Sequence, residues 1–171
     1  MVWLPPARED GEHLRLLHVE GIETGLGAND VGLDRGQMGA ARLVRFRSVG
    51  GKVLLEQINT AYRASSGGPL EQAAAQQSFA SSVLWGGEPV DRARDGRVLV
   101  DLTSLLVRDA HGIQSTLSDR EQGKFKLDLE RSALDVSRCR AFPDNVEFAA
   151  LLTFTSDAPG PLARSSAPDG G

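Results

Sequence analysis

The run RLVRFRSV, Gly50-Gly51, KVLLEQINTAY, beginning at Arg42, constrains the fold more than any other part of the chain. Two strand-like stretches flank a pair of glycines, and glycine tolerates the positive φ that a two-residue hairpin turn demands. With that turn the register follows: Val49 faces Lys52 and Arg45 faces Glu56, so opposite charges meet across an antiparallel ladder. Arg42, Arg45 and Arg47, with Arg131 further on, alternate with other residues and read as a solvated face able to meet an acidic partner.

Other segments point the same way. HLRLLHV, 13–19, is a short apolar strand, VLWGGEPV is extended with Trp85 in the core, and DRARDG is a polar turn before a buried strand at 97–101. KFKLDLE alternates, with Phe125, Leu127 and Leu129 on one face and Lys124, Lys126, Asp128 and Glu130 on the other. FPDN divides SALDVSRCRAF from NVEFAALLTFT and predicts a second hairpin, Pro143 fitting the second turn position. Two short helices complete the pattern. One spans about 69–80, opened by Pro69 with Glu71 near its positive end. In the other, Leu102, Leu105 and Leu106 share helical spacing, Asp101 or Thr103 caps the start, and Gly112 ends it. The fold class is therefore α+β: a mostly antiparallel twisted sheet built from β-hairpins, with two short helices against it.

A chain of 171 residues, 40% hydrophobic, suits one domain, placed here at 13–156. Residues 1–12 read as a loose N-terminal segment, and 157–171, rich in Pro, Gly and Ser, as a flexible linker or artificial end. The net charge of −4 and the scattered basic residues argue against nucleic acid as a partner. Cys139 is the only cysteine, so the chain has no internal disulfide and no cysteine-based zinc cluster. MVWLPPARED lacks the basic and apolar regions of a signal peptide, and no apolar run approaches the roughly 20 residues of a membrane span.

GLGANDVGLDRG, 25–36, packs four glycines among Asx residues. It is no dinucleotide fingerprint, because Asp30 stands where the third glycine belongs. Counted from Asn29 it is no calcium loop, because Val31 and Asp34 occupy the third and sixth positions. Tight turns remain, and Asn29, Asp30, Asp34 and Arg35 are the candidate contact residues of an exposed loop. His111 beside Asp109 has the form of a base oriented by a carboxylate, with no nucleophile assigned to it. At a helix C-terminus it would equally favour the dipole. SRCRAFPD places Cys139 in a context faintly like the cysteine switch of metallopeptidase prodomains, one residue out of register; a buried or idle cysteine is the plainer reading.

GLGANDVGLDRGQ, LVRF, KVLL followed by Asn59, SFASSVLW, DGRVLVDLTSLLVRDAHGI, LERSAL and AFPDNVEFAALLTF together resemble the uncharacterised domain found immediately before the catalytic domain in large bacterial zinc-dependent metallopeptidases. The resemblance runs from about Leu16 to Thr155. It implies a non-catalytic accessory domain, prodomain-like or structural, whose partner in cis is the cognate catalytic domain. It also implies a periplasmic or secreted location. Zinc belongs to that downstream domain, in a metzincin-type HExxH; the histidines here, His13, His18 and His111, form no such motif, so this chain has no cofactor of its own. Two other readings stay open. One is a free-standing peptide- or small-ligand-binding module with a deep apolar pocket. The other is a hydrolase using His111 with Asp109 or Asp34.

Overall fold

The computed structural model describes residues 1–26, 31–59 and 82–165. The helix expected at 69–80 lies outside these residues. The chain divides into two compact units, Met1–His18 with Ala41–Leu102 and Val19–Ala40 with Thr103–Gly171, where the sequence suggested one domain over 13–156. Every strand pairing among the described residues is antiparallel.

The first unit holds β1 (Val2–Leu4), β2 (Glu12–His18), β3 (Arg42–Val49), β4 (Lys52–Gln57), β5 (Ser82–Gly87), β6 (Pro89–Arg92) and β7 (Val98–Val100). They form a four-stranded sheet, β2-β3-β4-β5, and a three-stranded sheet, β1-β7-β6. Gly50 (φ 56°) and Gly51 (φ 86°) make the expected turn, and Val49↔Lys52 and Arg45↔Glu56 are paired in the expected register. Phe46, Leu55 and Trp85 stand in one row across β3, β4 and β5, all buried. Phe46 and Trp85 meet edge to face at 6.4 Å between centroids, an arrangement that suits the ring quadrupoles. The indole lies back over Gly87, where any Cβ would strike it.

The N-terminal segment is not loose. β1 pairs with β7, Leu4 is buried, and the His13 ring bonds the Pro5 carbonyl at 2.7 Å. Three residues are too few to carry a strand period, so this edge strand left no pattern in the sequence.

The second unit contains α1 (Thr103–Leu106), α2 (Ile113–Asp119), β8 (Lys126–Leu134), a 3₁₀ turn at Val136–Arg138, β9 (Arg140–Phe142), β10 (Asn145–Glu147), β11 (Ala150–Thr155) and α3 (Pro161–Ser165). The second hairpin is present, with Phe142↔Asn145 closing the Pro143-Asp144 turn, and β8 pairs with β11 outside it. Gly112 does not end the first helix. In a left-handed conformation (φ 64°) it precedes α2. Asp109 satisfies that helix start, accepting from the N–H groups of Ile113 (2.7 Å) and Gln114 (3.0 Å). Leu129, expected inside, is exposed, because the β8–β11 register shifts between Leu151 and Thr153 and leaves residues 129–132 bulged.

Residues 161–165, read as part of a linker, form α3, and Ala163 joins Val31, Leu33 and Leu117 in a buried cluster. Pro161 suits a first turn, where its missing N–H leaves no gap. The buried Gln122 caps the helix from a distance in sequence: its Oε1 accepts from the N–H groups of Leu162 (2.9 Å) and Ala163 (3.3 Å). Replacing it strands two donors, so Gln122→Ala is expected to lower stability by about 1–3 kcal/mol. It also speeds tryptic cleavage after Arg164; a thermal melt and digestion pattern identical to the parent chain's would refute this anchoring.

Candidate functional site

The most concentrated chemistry lies on one face of the four-stranded sheet. Arg15, Arg45 and Glu56 are cross-strand partners and share that face. Glu12 joins them through a bulge. The β2–β3 register shifts between Glu12 and Leu14, so that Glu12 pairs with Arg47 and His13 is the extra residue. Without the bulge, Glu12 would stand opposite Ser48 on the other face. His13 turns to that side instead, its Nε2 2.7 Å from Ser48 Oγ. The Pro5 carbonyl can only accept, so Nδ1 carries a proton.

The result is an alternating row of charges. Glu12 is 1% exposed and Glu56 2%. Arg15 donates to Glu12 Oε2 at 2.7 Å, and Arg45 Nη1 lies 3.7 Å from the same oxygen. Arg45 Nε (2.9 Å) and Arg47 Nε (3.1 Å) both donate to Glu56 Oε2, and Arg47 Nη2 reaches Oε1 at 2.6 Å. Burial alone would raise the Glu56 pKa, but the hydrogen bonds from Arg47 and Arg45 outweigh it and hold the carboxyl below its ordinary value. Hydrogen bonds to Glu12 and Glu56 raise the pKa of Arg15 and Arg47 respectively. Arg45 and Arg47 are therefore not simply a solvated face: they lie half-buried over two carboxylates.

The described residues of the glycine-rich stretch, 25–26 and 31–36, make demanding turns. A Cβ at Gly25 would collide with the Leu33 carbonyl, and Gly32 (φ 80°) and Gly36 (φ 82°) are left-handed. Val31 and Leu33 bury themselves in the second unit's core, and Leu26 N–H bonds the Leu33 carbonyl. Asp34 and Arg35 are exposed, while Asn29 and Asp30 lie outside the described residues. Asp109, one of the two carboxylates the hydrolase reading offers His111, has both oxygens engaged on Ile113 and Gln114. His111 Nε2 is buried without a hydrogen-bond partner. Cys139 Sγ lies 3.4 Å from the Asp135 carbonyl as the chain leaves the 3₁₀ turn.

Two further surfaces stand out. An open cleft of about 360 Å³ is lined by Gly50, Gly51, Lys52, Glu88, Pro89 and Arg92. In the second unit the β8–β11 ribbon leaves Leu129, Val136, Phe142, Val146 and Leu151 more than half exposed, and every residue of β9 and β10 is open to solvent.

Because the folded pKa of Glu56 is depressed, its contribution to stability is complete above the unfolded value near 4.5 and is lost as pH falls through the lower folded one. Glu56→Gln is expected to cost about 2–3 kcal/mol at neutral pH, the arginines' partial exposure keeping it at or below the range for a broken buried pair. The gap to the parent chain narrows in acid; denaturant curves that coincide at neutral pH would exclude this role.

Residues 36–169 match a family described as a domain of unknown function, DUF5117. No curated protein and no solved structure matches the chain. Arg45, Arg47, Glu56 and the ribbon fall inside the matched span, whereas Glu12, Arg15, Asp34 and Arg35 precede it. With most of its length matched, the chain belongs to the DUF5117 family.

Proposed function

We propose that this chain is a non-catalytic accessory domain that packs against a catalytic domain in the same polypeptide, that of a bacterial zinc-dependent metallopeptidase, as the resemblance of its motifs implies. The observation that carries the reading is the β8–β11 ribbon. A two-stranded hairpin is marginal in water by itself, yet this one holds Phe142 54% and Leu151 65% exposed. Large apolar side chains kept in water along both strands suit a surface that another protein covers. Burying such side chains is worth about 1–2 kcal/mol apiece, given that each is already partly covered.

In this reading zinc and its HExxH ligands belong to the downstream domain. Among the described residues no three His, Cys, Asp or Glu side chains gather as a ligand set. The family resemblance likewise carries the periplasmic or secreted location. The cleft at Gly50-Gly51, lined by Lys52, Glu88 and Arg92, gives less support to a peptide-binding module, which calls for an enclosed apolar pocket.

Hydrogen exchange tests the docking. In the full-length gene product, the amides of Arg140–Glu147 are expected to exchange at least about tenfold more slowly than in the 171-residue chain. Equal rates would overturn docking through the ribbon. A coding region without an in-frame HExxH beyond residue 171 would overturn the metallopeptidase assignment separately.

A further inference from the structure

We propose that the arginine face of β2, β3 and β4 binds a tetrahedral oxoanion, a phosphate or sulfate group. Four arginines, Arg8, Arg15, Arg45 and Arg47, gather around two buried glutamates. Even with Asp10 close enough to act on Arg15 and Arg47, the face keeps an excess of positive charge on a chain whose net charge is −4. Each guanidinium carries five N–H donors, and two carboxylates cannot accept them all.

The buried glutamates act as backing. Glu12 Oε2 draws Arg15 and Arg45 to one point, and Glu56 Oε2 does the same for Arg45 and Arg47. Neighbouring guanidinium groups that share an oxygen on their inner side are near enough to share a second anion on their outer side. Their side chains remain accessible for it: Arg15 is 50% exposed, and Arg47 32%. Arg8 is the least committed, its Nη1 3.8 Å from Glu12 Oε1, an oxygen with no hydrogen-bond donor. The turn that carries Arg8 is fixed, since Arg8 N–H bonds the Glu12 carbonyl and Gly11 N–H bonds the Arg8 carbonyl.

Geometry selects the ligand class. A carboxylate presents its acceptors in one plane and satisfies one fork. A tetrahedral group accepts from several directions at once, which is what forks held at different angles along a strand pair require. Pre-positioning removes the ordering cost that free arginine side chains would bring to the same contact.

The test is a titration of the 171-residue chain with inorganic phosphate at constant ionic strength, chloride making up the balance, followed by the arginine Nε–H and backbone amide resonances of β2 and β3. Saturable shifts at Arg15 and Arg45 are expected, with a Kd on the order of 1 mM. Arg8→Gln/Arg15→Gln is expected to weaken binding about tenfold or more, and Arg15→Lys, which keeps charge but loses the fork, several-fold. Arg8→Gln alone, at a mostly exposed side chain, weakens binding without threatening the fold, and Arg92→Gln, on the separate cleft, leaves it unchanged. Repeating the titration with a phosphoserine peptide separates the sources: tighter binding assigns a phosphate borne by a macromolecule, equal binding a free oxoanion. Shifts that grow linearly, or that survive loss of both Arg8 and Arg15, would overturn the site.

Discussion

Glu12 and Glu56 lie beneath the arginines of the first sheet, and a carboxylate buried at such depth is costly unless cations are paired with it. Burial pulls Glu56 toward its neutral form, and the two guanidinium groups that converge on it reverse the balance. The dependence runs both ways. A one-residue slip of β3 against β4 would carry Arg45 away from Glu56 and turn the carboxylate toward the face that holds Phe46 and Leu55. The Gly50-Gly51 turn sets the register locally, and the ion pairs penalise the alternatives. Such a pair need not add net stability over an apolar replacement; its contribution here is to make one register far better than its neighbours.

How much of this was legible depends on the range over which each feature is encoded. The first hairpin was readable because two glycines between strand-like runs act within a few residues, and Arg45↔Glu56 followed by counting. Trp85 in the core and the Pro143-Asp144 turn were readable for the same reason. The bulge at His13 was not, since an extra residue in one strand is defined only against its partner. Glu12 therefore gave no sign that it would share a face with Arg45, and the arginines looked like an ordinary wet face. Gln122 capping α3, and Asp109 satisfying the start of α2 where Gly112 was expected to end the helix before it, are failures of one kind. Composition around 157–165 suggests a linker, and only a cap from residue 122 makes part of it a helix.

The second unit separates two roles that its sequence had blurred. The glycine-rich stretch read as tight turns bearing exposed Asx residues; Val31 and Leu33 are core residues, and Gly25, Gly32 and Gly36 serve close backbone approach and left-handed turns. The β8–β11 ribbon looked half-buried from its alternation. The bulge at 129–132 breaks that alternation, and beyond it every residue of the inner hairpin β9–β10 is exposed. Ser132 Oγ and Thr153 hold the bulge closed through side-chain to backbone bonds, so the exposure of Leu129 is built into a bonded structure.

The two surfaces obey different physics, which makes their contacts separable. Attraction to the arginine face is Coulombic and weakens as salt shortens the screening length to about 8 Å at physiological ionic strength. Association through Phe142, Val146 and Leu151 depends on removing apolar area from water, and excluded salts such as sulfate strengthen it. Sulfate is also an oxoanion of the class assigned to the arginines, so it would occupy one surface while promoting burial of the other. Sodium chloride lacks that double action: raising it screens the arginine face and leaves the ribbon's driving force nearly intact. A partner that lets go in chloride is held by the first unit's charges, and one that stays is held by the second unit's ribbon.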